Sequence, residues 1–572
     1  MNPQTLNGHG LVPGVAAGAV LHADVALSFM GCVDSVTGEV RDVHHPLLGQ
    51  HVAGKILAIP SGRGSCSGSV TIFELLMNGH APRALVFQHR ETILTFGSII
   101  AEEFFGRGIP VVNVTADDFA KLATAAHARI ENGAVVVSES AGDEVPARVA
   151  LPPLDLADFN LSARDRQVLA GELGEAERVA LRAVIRMARL EGATSLVDVE
   201  MGHIDGCFYQ GPGGLHFIER LRDMGAKVRI PTTMNAISVD RQRWRGQGVA
   251  EGLGAPSERL ADAYVAMGVK PTYTCAPYLL DTAPRFGQQI AWAESNAVVF
   301  ANSVLGARTM KYPDYLDILV AITGRAPDAD CHRSESRKAA VRIDLPPLAD
   351  VDDSFYALLG YHCGKLATND IPLICGMEHL TVSRDHLKSF GAAFATTSAM
   401  PMFHMRGITP EAADAGDPSR SIQVTRHDLA ETWRELNTAT TPDVDLIALG
   451  NPHFSLDEIA ELARLCSGKR KAAHTSLTVT CGRDVYSRAA AAGHVATVEA
   501  FGGKFLNDTC WCFIDEPVVP PEARNIATNS GKYAHYGAAA LNRGFHFASL
   551  ARCVEGARTG QIDSALPGWL TD

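Results

Sequence analysis

The sequence predicts an α/β protein in which a small β/α domain is followed by a large α/β domain of several subdomains. Three observations predict it. Between residues 50 and 140, short β-branched runs alternate with stretches of helical periodicity. A proline-bearing stretch at 145–153 (Pro146, Pro152, Pro153) has little periodicity of either kind and reads as a linker. The rest of the 572-residue chain, which is 46% apolar overall, carries further short buried strands and has the length for more than one hydrophobic core. The division expected is 1–145 for the small domain, 146–160 for the linker and 161–572 for the large domain.

Within the small domain, Val20–Phe29 reads as a strand region and Lys55–Pro60 as a strand. Ser69–Gly79 follows as a helix with Ile72, Leu75 and Leu76 on one face. Ala84–Phe87 and Pro110–Val114 read as strands, with a helix at Gly97–Phe105 between them. Thr115 is placed to cap a helix running through Phe119, Leu122 and Ile130, which Gly133 would end before the strand Ala134–Val137. Beyond the linker a long amphipathic helix is expected from Ala163 to about Glu191, with Val168, Leu169, Val179, Val184, Ile185 and Ala188 at helical spacing. Ser195–Val199, Val228–Pro231, Asp445–Leu449 and Ser476–Val479 read as buried strands.

Composition excludes several classes. Charged residues at 20% and a mean hydropathy of +0.03 describe an ordinary globular chain rather than a disordered one. With 51 Lys+Arg against 64 Asp+Glu, the net charge is −13, and the densest basic run is only Lys469-Arg470-Lys471, so no nucleic-acid partner is expected. No run approaches the roughly 20 apolar residues of a membrane helix, and the N-terminus from Met1 lacks the regions of a signal peptide. A cytoplasmic location is therefore expected, with no membrane partner and with the twelve cysteines reduced. None of them forms a CxxC pair, which excludes the common zinc ribbons and thioredoxin-like chemistry.

The sharpest local signal is Gly62-Arg63-Gly64-Ser65-Cys66-Ser67-Gly68-Ser69, between a predicted strand and a predicted helix. Small residues there let backbone N–H groups converge at a helix N-terminus, which suits a carboxylate, a phosphate or a serine alkoxide. A tight turn with a serine cap is the plain alternative. The loop is neither a Walker A loop nor the GxGxxG dinucleotide fingerprint. Four polar clusters lie at strand ends: Gly202-His203-Ile204-Asp205-Gly206, Pro231-Thr232-Thr233-Met234-Asn235, Gly450-Asn451-Pro452-His453 and Ser530-Gly531-Lys532-Tyr533. Each alone reads as a capped turn, but together they can build a polar pocket. Cys275 and Cys510 sit in loops with the look of ligand turns, and Cys363 and Cys375 in a Gly- and His-rich stretch. Most of the twelve cysteines, Cys512 and Cys553 among them, read as small buried hydrophobes.

Several longer motifs resemble a known family. Gly10-Leu-Val-Pro-Gly-Val-Ala-Ala-Gly, Ser28-Phe-Met-Gly-Cys-Val-Asp, His45-Pro-Leu-Leu-Gly and the Gly-Arg-Gly-Ser loop resemble the small swivelling domain of aconitase X. Thr272-Tyr-Thr-Cys-Ala-Pro-Tyr-Leu, Ala291-Trp-Ala-Glu-Ser-Asn-Ala, Ala301-Asn-Ser-Val-Leu-Gly-Ala-Arg-Thr, Asp508-Thr-Cys and Ser530-Gly-Lys-Tyr-Ala-His-Tyr resemble its large aconitase-like catalytic domain. The family belongs to the aconitase superfamily of iron–sulfur dehydratases. It comes as a two-subunit archaeal mevalonate 5-phosphate dehydratase and as a single-chain bacterial cis-3-hydroxy-L-proline dehydratase. One chain ordered small then large is similar to the second kind.

The resemblance implies a hydro-lyase in which Ser65, on the first serine of the family's loop, is the catalytic base, brought to the substrate as the small domain swivels. Ser67 stands where aconitases carry a carboxylate-clamping arginine, which fits a substrate with one carboxylate. Arg63, Ser67, Ser530 and Lys532 are the implied grips on charge and carboxylate; His203, Asp205 and Asn235 would orient the ring nitrogen or protonate the leaving hydroxyl. Archaeal relatives have Gly-Cys-Pro-His where this chain has Gly450-Asn451-Pro452-His453, so one thiolate is missing. Cys275 and Cys510 are then the expected metal ligands and Cys375 the third, holding a 2Fe-2S cluster, with 3Fe-4S, 4Fe-4S and mononuclear iron left open. The chain is expected to act as a monomer on a small molecule. Mevalonate 5-phosphate is the alternative substrate, and it calls for a cationic pocket that the Lys/Arg pattern does not display.

Overall fold

The computed structural model describes residues 4–563 and 565–571, so Met1–Pro3, with residues 564 and 572, lie outside the described residues. The chain forms two compact units. The first takes 1–232, 266–268 and 312–330; the second takes 233–265, 269–311 and 331–572.

The first unit is built on a nine-stranded mixed sheet. Its strands are β1 (Gln4–Leu6), β2 (Gly8–Val12), β3 (Gly14–His22), β4 (Ile56–Ile59), β5 (Ala84–Phe87), β6 (Val111–Val114), β7 (His127–Glu131), β8 (Ala134–Ser138) and β9 (Val145–Val149). The order is β1-β8-β7-β3-β4-β5-β6-β2, with β9 added against β3. The three parallel strands β4, β5 and β6 follow each other through α1 (Gly68–Asn78) and α2 (Ile93–Phe105). Because the pleat alternates, Ile56, Ala58, Ala84, Val86, Val112 and Val114 share one core, while Leu57, Ile59, Leu85 and Phe87 are buried on the other face. Strands buried on both faces read as unbroken apolar runs, which is why the sequence locates them within a residue or two.

The predicted helix from Thr115 to Ile130 is only one third helix. Thr115 does cap it, its side chain accepting from the Asp118 N–H at 3.3 Å, and α3 covers Ala116–Lys121. The chain then turns into the antiparallel pair β7–β8. The turn is Asn132-Gly133, both at positive φ (49° and 100°), the pairing that matches strand twist in a two-residue hairpin. A Cβ on Gly133 would lie 2.9 Å from the Gly10 nitrogen, so side chain and conformation alike require glycine there.

Four further expectations change. The strand region at Val20–Phe29 is the end of β3, which starts at Gly14; from Ala23 onward the chain leaves the ladder. The stretch read as linker contains β9, which pairs antiparallel with Gly14–Ala17 despite Pro146, as an edge strand permits. The long helix is two, α4 (Ala163–Leu169) and α5 (Glu175–Leu190), parted where Gly171 and Gly174 take φ of 82° and 107°. Ser195–Val199 is a strand over Leu196–Asp198, antiparallel to Arg325–Pro327. Val228–Pro231 is not: single bonds from Val228 N–H to Met267 O and from Arg229 N–H to Ala321 O tie it instead.

The second unit holds two parallel sheets. One has five strands in the order Lys504–Leu506, Ser476–Thr480, Leu446–Leu449, Asn525–Thr528 and Gly544–Phe547. Helices Leu456–Cys466, His494–Phe501 and Leu550–Thr559 contribute to its core, where Cys466, Cys481 and Cys553 are plain hydrophobic filling. The other has His404–Met405, Pro372–Cys375, Val341–Asp344 and Ser421–Gln423. No helix among the described residues is long and apolar enough to cross a membrane.

Candidate functional site

In the first unit the glycine loop leads from β4 into α1. Gly64 holds φ of 81°, and Gly62 lies so close to Glu91 that a Cβ would sit 2.9 Å from its Oε1. Glu91 is buried and accepts N–H bonds from Ile93, Leu94 and Thr95 at the start of α2; burial pushes its carboxyl up to about 7 against those donors. Arg63 braces the loop, giving Nε to the Ala26 carbonyl at 2.9 Å and Nη2 to the buried Asp42 at 2.9 Å. Two of its donor groups are thus spent inside the domain.

Ser65 is half-buried and its hydroxyl donates to Ser67 Oγ at 3.2 Å, while the Ser67 N–H donates back to Ser65 Oγ at 3.2 Å. Ser67 occupies the N-cap position of α1 without making a side-chain cap bond. Its hydroxyl donates instead to Asp205 Oδ2 at 3.4 Å. His203 and Asp205 are fully buried, on and just after the strand Gly202–Ile204. The Asp205 N–H donates to Asp317 Oδ2 at 2.7 Å, and burial pushes the Asp317 carboxyl up to about 6. Ser65, Ser67 and Asp205 are therefore brought together.

In the second unit the thiols converge. Cys275 and Cys510 share one buried cluster with Ala236, and Cys512 packs against it. Cys510 is hydrogen-bonded to both Cys275 and Cys512; the Cys275 contact and burial push its thiol well above the usual range. A turn closed by Phe513 N–H on the Cys510 carbonyl at 2.9 Å, with Trp511 anchored to Leu449 O at 2.8 Å, holds Cys510 and Cys512 on one side. Asn451 Nδ2 points at both, 3.5 Å from Cys510 Sγ and 3.2 Å from Cys512 Sγ. Its Oδ1 is buried without a protein partner among the described residues.

The two cysteine turns are built alike. Each carries a non-glycine residue at positive φ two positions before the cysteine, Tyr273 (47°) and Asp508 (66°), followed by a threonine. His453 bridges the turns: Nε2 donates to the Thr509 carbonyl at 2.8 Å, and Nδ1 pairs with Thr274 Oγ1 at 3.2 Å. Its backbone N–H donates to Cys275 Sγ at 3.3 Å. Burial lowers the His453 imidazole to about 4, keeping it neutral and its tautomer fixed.

A buried carboxylate completes the site. Glu294 accepts from Lys532 Nζ at 2.8 Å, from Asn296 Nδ2 at 2.6 Å and from Asn235 Nδ2 at 3.1 Å. Burial raises the Glu294 carboxyl, but Lys532 and the Asn296 bonds outweigh it and hold it below the usual range. Burial likewise opposes the Lys532 ammonium, and Glu294 keeps it charged. Asn296 also donates to the Cys275 carbonyl at 3.0 Å. Ser530 caps the helix Gly531–Leu541, accepting from Tyr533 N–H at 3.1 Å.

Cys375 is not part of this arrangement. It ends the strand Pro372–Cys375 in a separate cluster with Leu373 and Ala415, so the third thiol beside Cys275 and Cys510 is Cys512. The spacing Cys510-Trp-Cys512 was the available signal, and a single intervening residue does not reveal a turn that turns both thiols the same way. Glu294, Asn451 and His453 lie in motifs whose sequence gives them no role by itself; the lone carboxylate inside Ala291-Trp-Ala-Glu-Ser-Asn-Ala-Val-Val is the clearest trace.

Three converging soft donors in an α/β scaffold, two buried and Cys512 half-buried, suit an enzyme that works with a thiophilic metal, iron–sulfur or zinc, rather than with magnesium or calcium. Comparison narrows that class. Family profiles match in succession: the aconitase X swivel domain over residues 5–138, first domain over 158–335, second domain over 338–434 and third domain over 444–559. The chain belongs to the aconitase X family. It is 50% identical over 568 residues to a cis-3-hydroxy-L-proline dehydratase of Pseudomonas aeruginosa, covering 98% of each, and 50% identical over 578 residues to one of Hypocrea jecorina, covering 99% of this chain and 97% of that one. A phosphomevalonate dehydratase large subunit of Methanothermobacter thermautotrophicus is 36% identical over 380 residues, 66% of this chain and 93% of that one. The crystal structure of Thermococcus kodakaraensis aconitase X in its holo-form superposes with a TM-score of 0.63 at 31% identity, covering 70% of this chain and all of that one.

Proposed function

We propose that this chain is a carbon–oxygen hydro-lyase that converts cis-3-hydroxy-L-proline to Δ1-pyrroline-2-carboxylate and water. What carries the reading is 50% identity, over 98% of both chains, to a cis-3-hydroxy-L-proline dehydratase. The converging thiols supply the chemical fit. Cys275, Cys510 and Cys512 are the donors for an iron–sulfur cofactor, and the orphaned Asn451 Oδ1 beside them marks a site built for more than packing. When bound, that cofactor supplies a Lewis acid for the C3 hydroxyl, a poor leaving group.

The chain's own residues do the rest. Ser65 takes the Cα proton, and its oxygen, accepting from the Ser67 N–H at 3.2 Å beside the N-terminus of α1, stands where the deprotonated base is favoured. Lys532, held charged by Glu294, is the cation offered to the substrate carboxylate. The enamine left by loss of water then tautomerises to the pyrroline. Phosphomevalonate has less support, because the phosphomevalonate dehydratase subunit is 36% identical over only 66% of this chain, against 50% over 98% for the hydroxyproline enzyme. Reduced cysteines, all twelve free, suit a cytoplasmic enzyme, and we assign it a small-molecule substrate and a monomeric state.

The test is anaerobic turnover of cis-3-hydroxy-L-proline by the parent and by Ser65→Ala, with iron and sulfide counted in both. Parent turnover with an iron-replete but inactive Ser65→Ala is the expected result. Turnover retained by Ser65→Ala removes Ser65 as base, and parent activity on mevalonate 5-phosphate alone removes the substrate.

A further inference from the structure

We propose that Ser67 and Asp205 form a proton relay that withdraws the hydroxyl proton of Ser65 as Ser65 takes the proton from the substrate. The proposal rests on Ser65 being the base. A serine holding its own proton is a poor base, and enzymes activate such hydroxyls with a neighbouring acceptor that a third group orients. The loop supplies that sequence of groups. Ser65 O–H donates to Ser67 Oγ at 3.2 Å, and Ser67 O–H donates to Asp205 Oδ2 at 3.4 Å. Catalytic hydrogen bonds of this length tighten as the reacting atom arrives.

Ser67 is the informative residue. It sits at the N-cap of an eleven-residue helix, where a serine hydroxyl ordinarily accepts from the helix's first N–H groups, yet it makes no such bond. The hydroxyl is given up by the cap and turned toward Ser65 and Asp205. Its backbone N–H, donating to Ser65 Oγ at 3.2 Å, stabilises the charge that grows there.

Asp205 is suited to receive the proton. It is fully buried, and its N–H is fixed on Asp317 Oδ2 at 2.7 Å. Asp314 and Asp317 lie with it around Cys207, so the carboxylate stands in an acidic, water-poor pocket next to the Ser67 hydroxyl. The step balances. The Cα proton moves to Ser65 Oγ, the Ser65 proton to Ser67 Oγ and the Ser67 proton to Asp205 Oδ2. The C–H electron pair becomes the new carbon–carbon double bond as the hydroxyl leaves with its own pair. The relay then runs back, Asp205 returning a proton to Ser67 and Ser67 one to Ser65 as Ser65 gives its own to that hydroxide, completing water and restoring the carboxylate.

The assignment differs from a substrate-binding role for the same two residues, and kinetics separates the two. Iron-loaded full-length Ser67→Ala, Asp205→Asn, Ser67→Thr and Ser65→Ala are compared on cis-3-hydroxy-L-proline with hydrogen or deuterium at Cα. Loss of a positioned proton acceptor is expected to lower kcat about 100-fold or more in Ser67→Ala and Asp205→Asn, with KM unchanged and an enlarged deuterium effect. Ser67→Thr, which keeps the hydroxyl, is expected to recover most of the loss. Unchanged kcat in Ser67→Ala, or a loss confined to KM, overturns the relay while an inactive Ser65→Ala leaves the base in place. An active Ser65→Ala overturns the base itself. Should Asp205→Asn fail to fold, the Ser67→Ala and Ser67→Thr pair still decides.

Discussion

Replacing Lys532 by methionine should cost the second unit about 3 kcal/mol, the low end of what breaking a buried ion pair costs. The side chains of Lys532 and Glu294 are 8% and 6% exposed and their charges meet at 2.8 Å. At an effective dielectric near 20, the gross attraction at that distance is about 6 kcal/mol. Most of this offsets the desolvation of both ions. Once the ammonium is gone, Glu294 still accepts from Asn296 and Asn235, which keeps the loss near the lower bound. With an unfolding entropy of about 2 cal/mol/K per residue over a unit on the order of 300 residues, the melting temperature falls by about 5 °C. Differential scanning calorimetry of Lys532→Met, Glu294→Gln and the double variant measures it. The double variant should melt above either single one, since it strands no charge. A Lys532→Met protein that melts with the parent, or a double variant no better than the singles, refutes the reasoning.

The thiols give a second prediction: Cys512→Ser loses most bound iron and visible absorbance, whereas Cys375→Ser keeps both, and equal spectra in the two would reverse the choice of third donor. Glu91 gives a pH prediction. Its folded-state pKa, about 7, lies above the unfolded value near 4.5, so the native state binds the extra proton between them. Stability in the first unit is therefore fully present below about pH 4.5 and declines by about 3 kcal/mol as pH rises through 7. Glu91→Gln, measured by urea titration across that range, should abolish the slope; parallel profiles for the two proteins would show that Glu91 carries no such cost.

What the sequence made legible follows from how locally each feature is determined. Strands such as Ile56–Ile59 and Leu446–Leu449 are buried on both faces, so their apolar runs and glycine-rich ends mark them without reference to partners. The glycine–serine loop is legible for a similar reason, lying between one such strand and a helix. Features settled by two residues acting together are harder. Asn132-Gly133 announces a hairpin, but a helical spacing of Phe119, Leu122 and Ile130 crosses it and outweighs the dipeptide when periodicity alone is read. Pro146 disguises β9, whose place at a sheet edge only the tertiary ladder reveals. The site shows the same contrast. Cys275 and Cys510 lie in distinctive turns, whereas Cys512 and Asn451 acquire meaning only because the 450–453 loop folds onto the Cys-Trp-Cys turn. Lys532 was visible as a cation, but its partner Glu294 lies 238 residues away.

The edge strand β9 also bears on how the chain keeps its parts together. In the phosphomevalonate relative the matching portion is named a large subunit, whereas here the swivel portion precedes it on the same polypeptide. Pairing Val145–Val149 to β3 takes up much of the connecting peptide, leaving fewer than a dozen residues before the first-domain match begins at 158. A tether that short fixes an effective concentration on the order of millimolar. Turnover per molecule in this enzyme should consequently be indifferent to dilution, where an assembly of separate chains would fall apart.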